Sequence, residues 1–144
     1  MRREISRIID ANLNRSREGL RVCEDIARFA MNSGKISREL KTVRHAISSV
    51  MRSAQVSGSF IGSRRSGRDV GRFPDPEVEM ARKDLADTFA ANIQRVKESL
   101  RVLEELFKLS DPRLSARVTS LRFAVYGIEK RSAGKVSSLR SKGL

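Results

Sequence analysis

The chain has 144 residues, of which 5% are aromatic and none is tryptophan, and a formal net charge of +13. That length suits one domain whose core must be built from aliphatic side chains. The lone Cys23 excludes a disulfide framework or a thiolate zinc site within one chain. No stretch reaches the ~18 apolar residues of a membrane span, and the charged N-terminus is no secretory signal, so a cytoplasmic protein with no membrane partner is expected.

The first predicted element is a helix near 3–31, containing "IIDANLNRSREGLRVCEDIARF" from Ile8 to Phe29. With successive residues 100° apart, Ile5, Ile9, Leu13, Leu20, Cys23 and Ile26 share one broad arc. Asn12 falls at its centre beside Gly19, and Arg15 lies inside it between Ile8 and Val22. "NSGKIS" then ends the helix at Asn32 and Gly34, with Ser37 as cap of a second helix near 37–55. There Leu40, Val43, Ile47 and Val50 form the apolar arc, Arg44 stands at its margin and His45 at the rim.

Residues 56–75 read as a loop rich in Gly, Ser and Arg without helical period. Its "GSRRSGRDVG" joins glycines, which let backbone amides approach an anion, to Arg64, Arg65 and Arg68. It is not a Walker loop, since no strand precedes it and no GK[ST] appears. Asp69, its one acid, is either a metal or base carboxylate or an internal partner for an arginine. A third helix is expected over 76–109, with Asp75 before Pro76. A fourth spans 112–131, with Asp111 as cap and Pro112 at the first helical position. Residues 132–144 read as a basic, flexible tail.

These elements repeat. Ala11–Phe29 and Ala91–Leu109 share eight identities in nineteen positions, among them Asn12/Asn92, Arg15/Arg95, Glu18/Glu98 and Glu24/Glu104. At an offset of 78, Arg44 matches Arg122 and Ile47 matches Val125. The expected fold is therefore all-α: an antiparallel four-helix bundle made of a duplicated helical hairpin, halves near 3–55 and 76–131, with the long Gly/Arg-rich loop between them. Apolar surface left over would suit a homodimer.

The charge is uneven. Arg52–Phe73 holds five arginines against one aspartate and Lys130–Leu144 five basic residues and no acid, so the two segments carry +9 of the +13. That pattern suits an anionic partner, either nucleic acid or small phosphorylated ligands. Asn12, Arg15 and Arg44, with Asn92, Arg95 and Arg122, are all expected at or near the centre of the bundle. Buried guanidiniums must be paired, and Glu18 and Glu98 lie within helical reach of Arg15 and Arg95. Two readings follow: an Asn–Arg–Glu network that fixes the fold, or a pocket in which arginine forks hold an anion or a heterocycle.

Taken together, "DANLNRSREGLRVCEDIARF", "LKTVRH", "RDVG", "AANIQRVKESLRVLEEL" and the trio Arg122, Tyr126 and Glu129 resemble a known family over roughly Ile8 to Glu129. It is the helical domain found N-terminal to thiamine-phosphate synthase in some bacteria, also called an alternative hydroxymethylpyrimidine-phosphate kinase domain. The synthase barrel itself has no counterpart in this chain. The resemblance implies thiamine biosynthesis, with a phosphorylated pyrimidine as ligand, a thiamine-phosphate synthase as partner in trans, and Mg2+ with ATP if phosphate is transferred. On that reading Arg15, Arg95, Arg44 and Arg122 hold phosphate, and Asn12 and Asn92 read the ring edge. The loop closes with Arg64, Arg68 and Gly71, His45 stands at the rim, and Asp69 or Glu18 acts as catalytic or metal-holding carboxylate. The alternative is a non-catalytic basic bundle binding RNA or a protein, against which the scarcity of stacking aromatics counts.

Overall fold

The structure, a computed structural model, describes residues 2–55, 60–72 and 81–140. Its elements are α1 (Arg3–Phe29), α2 (Gly34–Gln55), a one-turn α3 (Phe60–Ser63) followed by a 3-10 turn over Ser66–Arg68, α4 (Leu85–Phe107) and α5 (Pro112–Ser137). No strand occurs among the described residues, and no helix there is long and apolar enough to cross a membrane. The fold is the expected bundle of two helical hairpins. α1 packs on α2 and α4, and α5 on α4 and α2.

Local chemistry moves several boundaries from their expected places. Asn32 adopts a left-handed φ of 51°, and the amide of Ser33 returns to the carbonyl of Ala27 at 2.9 Å, closing α1. The Ser33 hydroxyl then accepts from the amide of Ile36, so Ser33 rather than Ser37 caps α2 and Gly34 is its first residue. α4 starts at Leu85, not near 76: residues 81–84 are not helical, and Asp84 caps by accepting from the amide of Asp87 at 2.8 Å. Asp75 and Pro76 lie outside the described residues. α5 begins as expected, with Asp111 accepting from the amide of Arg113 and Pro112 in the first turn. It does not end at 131. Ile128, Ser132, Val136 and Leu139 recur at helical spacing and continue the inward stripe, so the segment expected to be flexible is helical to Ser137, with Ser132 and Leu139 buried.

Leu13, Leu20, Ile47, Phe89, Leu100, Leu103 and Phe107 fill the core, each almost fully shielded from solvent. Phe60 of α3 joins them and seats the inter-hairpin segment against α1. α1 and α4 run antiparallel, with Gly19 opposite Asn92 and Val96, and Cys23 donating to the carbonyl of Phe89 at 3.7 Å. This pairing puts the approximate two-fold axis close to Arg15–Ser16 and their equivalents Arg95–Val96.

Each hairpin is tied by the same buried ion pair. In the first, Arg44 of α2 grips both carboxylate oxygens of Glu24 on α1 through its Nε and Nη2. In the second, Arg122 Nε donates to Glu104 Oε2 at 2.5 Å and Nη2 to Oε1 at 3.2 Å, and the Thr119 hydroxyl donates to Oε1. The glutamate side chains are only 5% and 3% exposed. Burial by itself would raise the pKa of Glu104. The hydrogen bonds from Arg122 and Thr119, aided by the charges of Arg122 and Arg101, outweigh it and hold the carboxyl below its ordinary 4.5.

Two predictions follow from this packing. A Cβ on Gly19 would stand 2.8 Å from Val96 Cγ2 and 3.0 Å from the carbonyl oxygen of Asn92. Gly19→Ala should therefore cost about 1–3 kcal/mol in chemical denaturation, instead of the gain usual for this change inside a helix; equal or higher stability would refute the close crossing. Because folded Glu104 ionises below 4.5, its contribution is present at neutral pH and is lost as pH falls through the depressed folded value. Glu104→Gln should lose roughly 3 kcal/mol at pH 7, with the gap to the unmodified protein closing in acid. A gap that stays constant from neutral pH to about pH 3 would contradict the pairing.

Candidate functional site

Two adjoining clefts open along α1. The larger, about 460 Å³, lies between α1 and the 64–69 segment and is lined by Glu4, Arg7, Ile8, Arg15, Arg65 and Asp69 among others. The second, about 390 Å³, lies between α1 and α4, with Arg15, Arg95, Glu98, Ser99, Val102 and Gly71 on its walls. Asn12 and Arg15 border both, so the two form one groove.

The loop wall is held by a pair that the repeat does not contain. Arg64 donates from Nε to Asp10 Oδ2 at 2.6 Å and from Nη2 to Oδ1 at 2.9 Å, while Asn14 Nδ2 donates to the same Oδ1 at 3.2 Å. Asp10 is 4% exposed. The hydrogen bond to Asp10, then the charge of Asp10, pushes the Arg64 pKa above its ordinary value, so the guanidinium keeps its charge. Asp69 does not take the arginine. It accepts from the amide of Gly71 at 2.8 Å, a local turn that presents Gly71 to the second cleft.

The arginines divide into two sets, which corrects the expectation that all point inward. Arg44 and Arg122 lie at the hairpin seams, each held by a two-pronged contact with Glu24 or Glu104, and line neither cleft. Arg15 and Arg95 are exposed, and among the described residues neither joins an ion pair; the expected links to Glu18 and Glu98 are not formed. They stand on the outer groove between α1 and α4, where a guanidinium keeps its hydration. Asn12 and Asn92 donate their amides back to the carbonyls of Ile8 and Thr88, each at 2.8 Å, and only Asn12 lines the groove. Arg64 lines it too, with its fork engaged by Asp10. Arg68, His45 and Glu18 are exposed and line neither cleft.

Sequence reasoning missed Asp10, Glu24 and Glu104 as partners. All three lie on apolar arcs, Asp10 between Ser6 and Leu13 and Glu24 between Leu20 and Ala27, and an acid in such a place requires a cation. That signal was in the pattern. Arg7 gave none. Cys23 is no nucleophile: burial, then the negative charges of Glu24 and Glu129, pushes its thiol far above the ordinary range. Among the described residues no three His, Cys, Asp or Glu side chains gather as a metal site.

What these observations define is a small helical bundle with one basic groove at its pseudo-symmetry axis. Residues 7–131 match the ThiD2 family, and the chain belongs to that family. It is similar to proteins named thiamine-phosphate synthase from Synechocystis sp., 39% identical over 90% of this chain, from Rhodopirellula baltica, 36% over 97%, and from Nostoc sp., 35% over 90%. The chain spans only 36–37% of the length of these relatives. No solved structure matches it.

The division of the arginines has a direct consequence for stability. Arg15→Ala and Arg95→Ala should each change the unfolding free energy by no more than about 0.5 kcal/mol. Arg44→Ala and Arg122→Ala, which strand a buried glutamate, should each cost about 3 kcal/mol. Thermal or denaturant melts of the four variants test this; equal losses across the set would show that the division is wrong.

Proposed function

We propose that this chain serves thiamine biosynthesis by binding a hydroxymethylpyrimidine phosphate in the groove between α1 and α4, with the phosphate held between Arg15 and Arg95. Membership of the ThiD2 family and the names of the relatives support the pathway. One observation supports the site: the two arginines that the repeat brings to a single cleft are those that no described carboxylate engages. A planar fork donating paired bonds suits a phosphate dianion, and two forks on rigid helices need little reorganisation to close on it. Asn12 and Ser99 border the same space and can address a ring edge, while Val102 offers it an apolar wall.

If the bound phosphate receives a second one, the donor is a nucleoside triphosphate with Mg2+. A magnesium ion carried on phosphates needs only one or two protein carboxylates. Asp69 and Glu4, which line the larger compartment, fit that requirement better than the outlying Glu18. What the chain itself contributes is position and charge: the arginines would orient the acceptor phosphate, whose oxygen would attack the donor's terminal phosphoryl group and displace the nucleoside diphosphate, and would offset the repulsion between the two anions.

Calorimetry tests the reading. Hydroxymethylpyrimidine phosphate should bind in a salt-dependent manner, and Arg15→Ala or Arg95→Ala should each weaken it by about 10–100-fold with the fold intact. Short RNA, titrated in parallel, should bind weakly and without dependence on Arg15 or Arg95. Pyrimidine phosphate binding indifferent to both arginines, or RNA binding that depends on the basic segment around Lys130–Arg140, would overturn the proposal in favour of a nucleic-acid-binding bundle.

A further inference from the structure

The two halves of the bundle align without a gap along α1 and α4, which makes their differences informative. Asp10 has Ala90 as its equivalent. Ala90 is exposed, whereas Asp10 is buried under the 60–72 segment. The second hairpin therefore shows what this helix surface is without a covering loop: open, uncharged and fully compatible with the fold. An aspartate does not enter a buried position on a helix without a partner. Here Arg64 supplies it with a two-pronged contact, and Asn14, one turn along the same helix, fixes the carboxylate from the other side.

Phe60 and Ser63 are buried, but residues 61, 62 and 64–72 are exposed, Ile61 and Val70 with apolar side chains largely in water. Arg65 and Asp69 on the larger compartment, and Gly71 on the smaller, all follow Arg64 in the chain. Their placement depends on where Arg64 is pinned.

We infer that Asp10 and Arg64 are positioning residues, a latch that holds the 64–72 segment as the second wall of the groove and so sets its affinity for ligand without touching the ligand's phosphate. This rests on the groove being the pyrimidine phosphate site, and it adds to that reading a reason for the asymmetry between the halves. The latch is an ion pair with one partner buried and the other half-exposed, strong enough to bias the segment and weak enough to open.

The experiment uses the full chain with Asp10→Ala, which installs the residue found at the equivalent place in the second hairpin, together with Arg64→Ala, Arg64→Lys and the double variant Asp10→Ala/Arg64→Ala. Melting temperature and circular dichroism report the fold. Trypsin cleavage after Arg65 and Arg68, sites that all variants keep, reports how often the segment leaves α1. Calorimetry with hydroxymethylpyrimidine phosphate reports the groove. Each alanine variant should raise cleavage and weaken binding by about tenfold, on the order expected for a charge-assisted pair. The double variant should be no worse than either single one, since the contact can be lost only once. Arg64→Lys, which keeps the charge but not the fork, should fall between. Unchanged cleavage in Asp10→Ala, or additive losses in the double variant, would overturn the latch. Faster cleavage with unchanged binding, while Arg15→Ala still abolishes binding, would overturn the positioning role and leave the phosphate site standing. If no variant binds differently, Arg15→Ala and Arg95→Ala included, the ligand assignment fails, and the claim that the latch sets ligand affinity fails with it.

Discussion

The buried carboxylate–guanidinium pair that joins the helices of each hairpin is the constraint from which the rest of this structure follows. A glutamate held almost out of solvent cannot be left alone, and its arginine must come from the neighbouring helix at one depth and in one rotation. Glu24–Arg44 and Glu104–Arg122 thus fix the register of α1 on α2 and of α4 on α5. Hydrophobic burial drives the association of these helices but is tolerant of small slips; the ion pairs are not. With each hairpin in one register, the close approach of Gly19 to Asn92 and Val96 sets α1 on α4 and brings the repeat-related Arg15 and Arg95 to one cleft.

Much of this architecture was legible in the chain. Eight identities at a constant spacing announce duplication, and the apolar arcs announce which faces meet, so the bundle and its antiparallel hairpins follow. The helix ends were less legible, because capping is decided by which of several nearby Ser and Asp residues reaches an amide. Ser33 does so here where Ser37 was expected, and Asp84 caps α4. The direction of Arg15 was misread for a geometric reason. α1 is flanked by α2 on one side and α4 on the other, so its apolar arc is wide, and a helical wheel cannot separate the part facing the core from the part facing an outer groove. The partner of Arg64 was out of reach for a different reason. It is 54 residues away, and no local period links a loop to a helix surface.

Differences between the halves mark where symmetry gave way to other demands. Lys97 holds both oxygens of Glu129 at 2.9 and 3.0 Å, beneath the ring of Tyr126. The equivalent positions in the first hairpin are Arg17, Met51 and Ser48, where a guanidinium nitrogen meets a thioether sulfur at 3.9 Å and Arg17 Nε is buried without a partner among the described residues. The second hairpin is thus the better satisfied electrostatically at its seam, while the first carries the loop on its outer face. Stability and access are distributed between the copies rather than shared equally.

A duplicated motif would ordinarily suggest two sites, and the geometry argues against that here. Residues related by a two-fold axis produce separate sites only when they lie far from it; close to the axis they converge on one. Arg15 and Arg95 lie close to it and line the same cleft. Doubling the hairpin therefore doubled the number of guanidiniums lining this cleft instead of giving each arginine a cleft of its own. A symmetric cleft would present identical ends to an asymmetric molecule and could bind it in two orientations of equal energy. The loop removes that degeneracy, because Gly71, Arg65 and Asp69 extend the groove on one side only. For a ligand with a phosphate at one end and a ring at the other, breaking the symmetry is what allows a single pose, and a single pose is the condition for any chemistry at a defined atom.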